Sequence, residues 1–318
     1  MSEKKILFID QTHPCLQEEL GGMGFICDFF LEKSKEDIEK IIHQYTGVII
    51  RSRILLDKKI LEKAAKLCFI GRVGAGMESI DVEYAASKNI ICLNSPEGNR
   101  DALAEHTLGM LLMLMNKLNI ADKQIRQGIR LREENRGVEI KGKTIGIIGY
   151  GNMGSAFAQR LKGFQANVIV YDKYKFNYSD EFVKETTWDE ILETADIISF
   201  HVPLTTETNY LFNKLLIDKI KKNIFVINTS RGKIVNTDDL VKGLKSGKIL
   251  GAALDVIEYE DTSFEKLDEL RLPEAYQYLL HSENVIMTPH IAGWTIESKY
   301  KLAKVLADKI KALKIKTN

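Results

Sequence analysis

Gly149-Tyr150-Gly151-Asn152-Met153-Gly154 sits directly behind the apolar run at 144–148 and directly ahead of a stretch with helical spacing. A Gly-x-Gly-x-x-Gly turn in that setting commits the chain to a strand–turn–helix unit of an α/β fold. Gly149 permits the tight turn, Gly151 lets the backbone approach a pyrophosphate, and Gly154 lets the helix pack closely on the strand. The opening residues of the helix, Asn152 and Met153, then offer unpaired N–H groups and the positive end of the helix dipole to phosphates. The following strand, 167–172, ends on Asp172, which stands 18 positions after Gly154 (172 − 154), near the ~20 that this motif expects. Its carboxylate suits ribose hydroxyls and repels a 2′-phosphate, so the cofactor expected is NAD rather than NADP. Lys173 and Lys175 lie just beyond and soften that preference.

The rest of the chain keeps the same grain. Strands are expected at 6–10, 25–30, 47–51, 67–73 and 90–94, with helices running to residue 20, over 36–45 and over 55–66. Gly21, Gly22 and Gly24 read as a turn. The cluster Ser95-Pro96-Glu97-Gly98-Asn99 interrupts the series, and 101–128 then reads as one long helix with an apolar middle at 108–115. Further strands are expected at 144–149, 167–172, 196–202, 224–229, 251–256 and 284–288, and a last helix at 295–315. Strands separated by helices make right-handed βαβ units and parallel sheets. The expectation is an α/β protein of two Rossmann-like or flavodoxin-like domains with an active-site cleft between them. Residues 1–99 plus 292–318 form a substrate-binding domain, and 100–291 an NAD-binding Rossmann domain. The chain crosses twice, at 96–99 and 290–293, so cleft closure is the natural gating motion. Met110, Met113 and Met115 are packing residues, and so apolar a helix suggests the contact of a homodimer.

Composition narrows the function classes. Lys+Arg 45 against Asp+Glu 44 gives a net charge of +1, which argues against a strongly basic nucleic-acid binder and an acidic tail. A 45% hydrophobic content over 318 residues is that of an ordinary globular protein of two domains. The first residues carry only a four-residue apolar run (6–9), too short for a signal peptide, and no 18-residue apolar segment follows. A soluble cytoplasmic protein without membrane or nucleic-acid partners is therefore expected. Cys15, Cys27, Cys68 and Cys92 show no Cys-x-x-Cys spacing. They are expected as buried thiols rather than a disulfide framework or metal site.

Strand ends carry the chemistry. Arg231 follows a strand, and its planar fork suits a carboxylate together with a keto oxygen. His290 follows Thr288-Pro289 at another strand end, and histidine exchanges protons near neutral pH. Ordered motifs surround them: Gly71-Arg72-Val73-Gly74-Ala75-Gly76, the glycine turn with Asp172, His201-Val202-Pro203-Leu204, Asn228-Thr229-Ser230-Arg231-Gly232, Leu254-Asp255-Val256 with Glu260, and Thr288-Pro289-His290-Ile291-Ala292-Gly293. From about residue 45 to 300 the chain resembles the D-isomer-specific 2-hydroxyacid dehydrogenases. The resemblance implies hydride transfer between NAD and a small 2-hydroxy or 2-keto acid. His290 is then the acid/base, Arg231 the substrate cation, and Glu260 the carboxylate behind His290. It further implies that Asp255 binds the nicotinamide carboxamide. His201, Val202, Pro203, Thr229, Ser230, Ala292 and Gly293 then line the cofactor site. The chain departs from the family where a proline commonly follows the glutamate: here Asp261 does, 262–282 is longer than usual, and Glu258 is a competing carboxylate.

The first domain bears on the substrate. Arg72-Val73-Gly74-Ala75-Gly76 follows a strand and offers successive N–H groups, a nest for a carboxylate. Arg51 and Ser52 follow another strand, so Arg51 and Arg72 are placed to converge on one anion. Within the family these arginines, and the run 94–99, are similar to the D-3-phosphoglycerate dehydrogenases in a short form without the C-terminal regulatory domain. That implies a phosphorylated acid, oxidation of D-3-phosphoglycerate to 3-phosphohydroxypyruvate in serine biosynthesis, and no serine feedback. The alternatives are a hydroxypyruvate, glyoxylate or D-lactate type of dehydrogenase, or a non-catalytic NAD-binding sensor.

Overall fold

The computed structural model describes residues 4–260 and 273–315. The expected lengthening at 262–282 lies outside the described residues up to 272, as does Asp261. Two compact units emerge, one of residues 1–100 with 294–318 and one of 101–293.

The first unit is a parallel sheet in the order β2-β1-β3-β4-β5. Its strands are β1 (Lys5–Phe8), β2 (Ile26–Phe29), β3 (Gly47–Ile50), β4 (Phe69–Arg72) and β5 (Ile91–Asn94). Helices α1 (Pro14–Gly22), α2 (Lys35–Ile41), α3 (Lys58–Glu62) and α4 (Val82–Ser87) connect them. Both sheet faces are buried, as parallel sheets require. Leu7, Val48, Ile50 and Ile70 pack on one side, while Ile6, Phe8, Ile49 and Phe69 pack on the other. The second side is closed by the last helix of the chain (Ile296–Ala312), through Leu302, Ala303, Leu306, Ala307 and Ile310. That burial is why the C-terminus folds with the N-terminal residues.

The second unit opens with α5 (Arg100–Met115) and α6 (Leu118–Arg126). Its strands are β6 (Thr144–Ile148), β7 (Asn167–Tyr171), β8 (Val183–Glu185), β9 (Ile197–Phe200), β10 (Ile224–Asn228), β11 (Ile249–Leu254) and β12 (Val285–Met287). The helices between are α7 (Asn152–Arg160), α8 (Trp188–Thr194), α9 (Lys214–Lys219), α10 (Thr237–Lys245) and α11 (Glu274–His281); the C-terminal helix becomes α12. The sheet runs parallel in the order β12-β11-β10-β9-β6-β7-β8. Neighbours along one strand go to opposite cores: Ile197 and Ile227 to one, Ile198 and Val226 to the other.

Several expectations need correction. The helix foreseen over 101–128 is two helices, because Lys117 takes a left-handed φ of 52° between them. The returning chain occupies the break: Val138 N donates to Met115 O at 2.9 Å, and Lys117 Nζ to Glu134 O at 2.6 Å. Gly21 and Gly22 end α1, and of that group Gly24 alone carries a turn, with φ 85°. The helix foreseen over 55–66 shrinks to α3, because Leu56 pairs with Ile80 in an isolated bridge and Asp57 caps the helix start. β8 escapes detection because Val183-Lys184-Glu185 is a short polar edge strand. The four cysteines are free thiols, but Cys68 is exposed, the others are half-buried, and Cys15 lies in a helix. Burial pushes the Cys27 thiol up to about 11.

Candidate active site

Strand order in the second sheet reverses between β6 and β9, the switch point where open α/β sheets place ligands. The glycine turn stands there. Gly149 has φ 94°, and a Cβ on it would lie 2.6 Å from the carbonyl oxygen of His201, which follows β9. A Cβ on Gly154 would lie 2.0 Å from Gly149 O, so only glycine lets α7 reach the strand. Gly151 faces open space, and as N-cap of α7 it supplies no side-chain bond to the helix. The N-terminal amides of α7, Asn152 and Met153 among them, are thus left for a ligand. Asp172 does more than end β7. One carboxylate oxygen accepts from Tyr150 N at 2.7 Å, the other from Tyr174 N at 2.9 Å and Lys175 N at 3.0 Å. It ties the glycine turn to the strand end and keeps lone pairs spare for a ribose. Lys173 pairs with Glu207 at 2.7 Å and Lys175 with Tyr150 O at 2.9 Å. Glycine turn, helix end and acidic strand end together fit an NAD pyrophosphate and ribose.

The next strand ends lie along the same edge. Asp255 follows β11 and is 1% exposed. Its oxygens accept from Thr288 Oγ1 at 2.6 Å, Ile291 N at 2.8 Å and Ala292 N at 2.9 Å, so it fixes the loop carrying His290. His290 adopts φ 55°, with its N–H bonded to Asp255 O and Thr288 O. Its Nδ1 lies 3.0 Å from Glu260 Oε2, while Glu260 Oε1 accepts from Ile257 N at 2.8 Å. Glu258 is occupied elsewhere, by Tyr210 Oη at 3.1 Å and Thr237 N at 2.7 Å. The imidazole is 45% exposed while Glu260 is 18% exposed; Nδ1 is held by the carboxylate, and among the described residues Nε2 has no hydrogen-bond partner.

Arg231 follows β10. Asn228 shapes the turn by accepting from Ser230 N and Oγ and donating to Arg231 O. Thr229 is buried, with its hydroxyl 3.3 Å from Thr107 of α5. Gly232 packs against the 257–258 backbone, where a Cβ would sit 1.9 Å from Ile257 O, so the Arg231 turn rests on the loop that carries Glu260.

His201 departs from its expected lining role. Its ring is packed inside, 2.8 Å from Ser199 Oγ and 5.4 Å from the Phe157 ring centre, and its Nδ1 is without a partner. Burial drives its pKa down to about 3. Its backbone and Val202, whose Cγ1 would lie 2.9 Å from a Cβ on Gly149, are what face the turn. Pro203 is exposed and accepts from Thr208.

In the first unit the order reverses between β1 and β3. Arg51 follows β3 there, its N–H bonded to the Asp10 carboxylate at 2.5 Å. Its guanidinium carbon lies 4.7 Å from the centre of the Trp294 ring, and burial pulls its pKa down. Ser52 is exposed. Arg53 is committed to Asp10, Ile9 O and Lys33 O. Arg72 donates from Nε to Arg51 O at 3.3 Å, and its guanidinium fills the place of a Cβ on Gly74. The expected nest is partly used: Val73 N bonds to Ile50 O, and Gly74 N to Arg72 O and Ser95 Oγ. Ala75 and Gly76 are half-buried, and Ala75 O is held by Asn94 Nδ2 at 2.6 Å.

Sequence reading missed His106 and Trp294, and it named Thr288 in a motif without giving it a role. His106 Nε2 reaches Thr288 Oγ1 at 3.1 Å across 182 positions, a pairing without local signal. Among the described residues no cluster of His, Cys, Asp and Glu could hold a metal ion.

Residues 108–292 match the family described as D-isomer specific 2-hydroxyacid dehydrogenase, NAD binding domain. The chain belongs to the D-isomer-specific 2-hydroxyacid dehydrogenases. It is 34% identical over 279 residues to the D-3-phosphoglycerate dehydrogenase of Archaeoglobus fulgidus, covering 87% of this chain and 51% of that one. It is 35% identical over 294 residues to the glyoxylate reductase of Thermofilum pendens, covering 88% and 84%. The D-lactate dehydrogenase of Aquifex aeolicus, solved with NAD and lactic acid, superposes with TM-score 0.81 at 27% identity, covering 98% and 95%. The chain spans about half the length of the phosphoglycerate dehydrogenase relatives it matches. The D-lactate dehydrogenase of Lactobacillus jensenii, solved with NAD+, likewise superposes with TM-score 0.81 at 27% identity.

Proposed function

We infer that the chain is an NAD-dependent dehydrogenase that oxidises D-3-phosphoglycerate to 3-phosphohydroxypyruvate, an entry step to serine, in the cytoplasm. The observation that carries the enzymatic reading is the half-exposed His290 held through Nδ1 by Glu260, on the sheet edge that carries Arg231 and the glycine turn. A parallel sheet spaces its strands by ~4.8 Å, so the turn after β6 and Arg231 after β10 stand ~10 Å apart along that edge. Gly149–Gly154 and Asp172 would hold the pyrophosphate and ribose of NAD, and Asp255 follows β11, one strand beyond Arg231 on the same edge.

NAD, bound there, supplies the hydride acceptor at its nicotinamide carbon. Arg231 binds the substrate carboxylate and the oxygen at C2, and stabilises charge on that oxygen in the reverse, reductive direction. His290 Nε2 takes the hydroxyl proton as the hydride leaves C2, so one proton and one hydride depart and a keto group remains. Glu260 fixes the tautomer that leaves Nε2 able to accept. Asp255, held by Thr288, Ile291 and Ala292, presents its surroundings to the carboxamide. The cation Arg51 favours a phosphorylated acid, because lactate or glyoxylate has no second anion for it. The reading extends to a homodimer joined through α5, α6 and the segment after them, where Leu118, Ile125, Ile129 and Leu131 are exposed.

A second reading is a hydroxypyruvate or glyoxylate reductase, favoured by the 35% identity to a glyoxylate reductase over most of both chains. Turnover of D-3-phosphoglycerate, D-glycerate, D-lactate, glyoxylate and hydroxypyruvate by the purified protein separates them. Higher kcat/KM for D-3-phosphoglycerate supports the first reading, and preference for an unphosphorylated acid rejects it. Absence of turnover with tight NAD binding would restore the sensor alternative, against which the paired His290 and Glu260 argue.

A further inference from the structure

Trp294 stands 65% exposed although its neighbourhood is rigid. Thr295 and Ser298 form a reciprocal cap at the start of α12, with Thr295 N to Ser298 Oγ at 2.9 Å and Ser298 N to Thr295 Oγ1 at 3.0 Å. The backbone beside the indole is therefore pinned. A tryptophan left in the open on fixed backbone calls for a reason, and among the described residues the cation over its ring is Arg51.

Arg51 is as unusual. It is half-buried, yet no hydrogen bond from its guanidinium is found among the described residues. The Asp10 carboxylate acts on it electrostatically, but its oxygens are engaged by the Arg51 N–H and by Arg53 Nε at 3.3 Å. A half-buried guanidinium whose donors meet no protein acceptor is placed to bind an anion. It stands where ligands bind in open α/β sheets, beyond the strand ends at the β1–β3 reversal. Stacking on an aromatic ring engages only the face of the guanidinium and leaves the N–H edges directed outward in its plane.

We propose that Trp294 is the positioning residue of an oxyanion site whose cation is Arg51, and that the site takes the phosphate of a phosphorylated 2-hydroxy acid. The inference rests on the reading of Arg51 as a substrate residue. The ring fixes the orientation of the fork before the ligand arrives, so less rotamer freedom is lost on binding. Arg72, bonded through Nε to the Arg51 carbonyl, adds a second cation beside it.

The test is steady-state kinetics at saturating NAD with D-3-phosphoglycerate and with D-glycerate, which is the same acid without the phosphate. Trp294→Ala raises KM for D-3-phosphoglycerate about three- to thirtyfold, the range from an exposed to a desolvated cation–ring contact, while kcat changes less than about twofold. KM for D-glycerate stays put. Trp294→Phe recovers most of the affinity, and Trp294→Ala added to Arg51→Ala costs nothing further. Equal losses for both acids, no rescue by phenylalanine, or additive losses in the double variant would each assign the ring a structural role and overturn the proposal. If instead Arg51→Ala weakens both acids equally, the phosphate reading falls, and the coupling in the double variant still reports on Trp294. If Arg51→Ala changes neither KM, both fall together.

Discussion

His290 holds a left-handed backbone at φ 55°, a conformation that costs a residue with a Cβ about 1–2 kcal/mol. The loop tolerates it because Asp255 anchors both sides, taking Ile291 N and Ala292 N on its carboxylate and His290 N on its carbonyl. Glu260 then settles the imidazole, and the two neighbouring glutamates should separate experimentally. Glu260→Gln is expected to lower kcat at least about tenfold, as loss of a tautomer-fixing carboxylate does, with NAD affinity retained. Glu258→Gln is expected to keep kcat but lower thermal stability by about 1–3 kcal/mol, since it weakens a charged acceptor for Thr237 N and Tyr210. Inactive Glu258→Gln beside wild-type Glu260→Gln would exchange the roles. His201 makes a pH statement. Its folded pKa of about 3 lies below the unfolded ~6.5. The unfolded chain therefore binds the extra proton, and stability falls as pH drops from ~6.5 toward 3. His201→Gln should flatten that part of the melting-temperature profile. An unchanged slope would mean that the buried ring contributes nothing to acid unfolding.

At the scale of the element, the β6–turn–α7 unit separates packing from binding. Gly154→Ala drives a Cβ into Gly149 O, and overpacking of this kind is expected to cost about 1–3 kcal/mol, read as a lower melting temperature without cofactor. Gly151→Ala meets open space, so it should melt like the parent yet bind NAD at least about tenfold more weakly, since the pyrophosphate needs that space. Equal NAD affinity in Gly151→Ala, measured by titration, would remove the phosphates from the turn. The same element was legible from residues because its spacing and glycine chemistry are local. The break at Lys117 was not, since the returning chain at Glu134–Val138 supplies the bonds that stabilise it. Nor was β8, whose polar residues carry no strand alternation and pair only because β7 is there.

For the whole molecule, α6 and the segment after it leave Leu118, Ile125, Ile129 and Leu131 each more than 40% exposed, a patch that solvent alone disfavours. Sedimentation is expected to give twice the 36.1 kDa chain mass, and Leu118→Glu with Ile125→Glu to give single chains. A double variant that still sediments as a pair would move the interface elsewhere. Cofactor choice belongs here too, since it integrates Asp172 with the ion pair of Lys173 and Glu207. With Lys173 so engaged, kcat/KM with NAD should exceed that with NADP by at least about tenfold. Equal efficiency would show that Asp172, occupied by Tyr150 and Tyr174, does not discriminate.

By itself the sequence determined the α/β class, the glycine turn with its acidic strand end, and the strand-end arginine and histidine. Each is written in short-range spacing, in hydrophobic period or in turn chemistry. Tertiary structure decided what depends on distant residues meeting. It set Glu260 rather than Glu258 behind His290 across 30 positions, turned the ring of His201 into the interior, and laid Trp294 on Arg51. A carboxylate's partner, a ring's exposure and a cation's orientation are properties of packing, and neighbouring letters in a chain do not encode them.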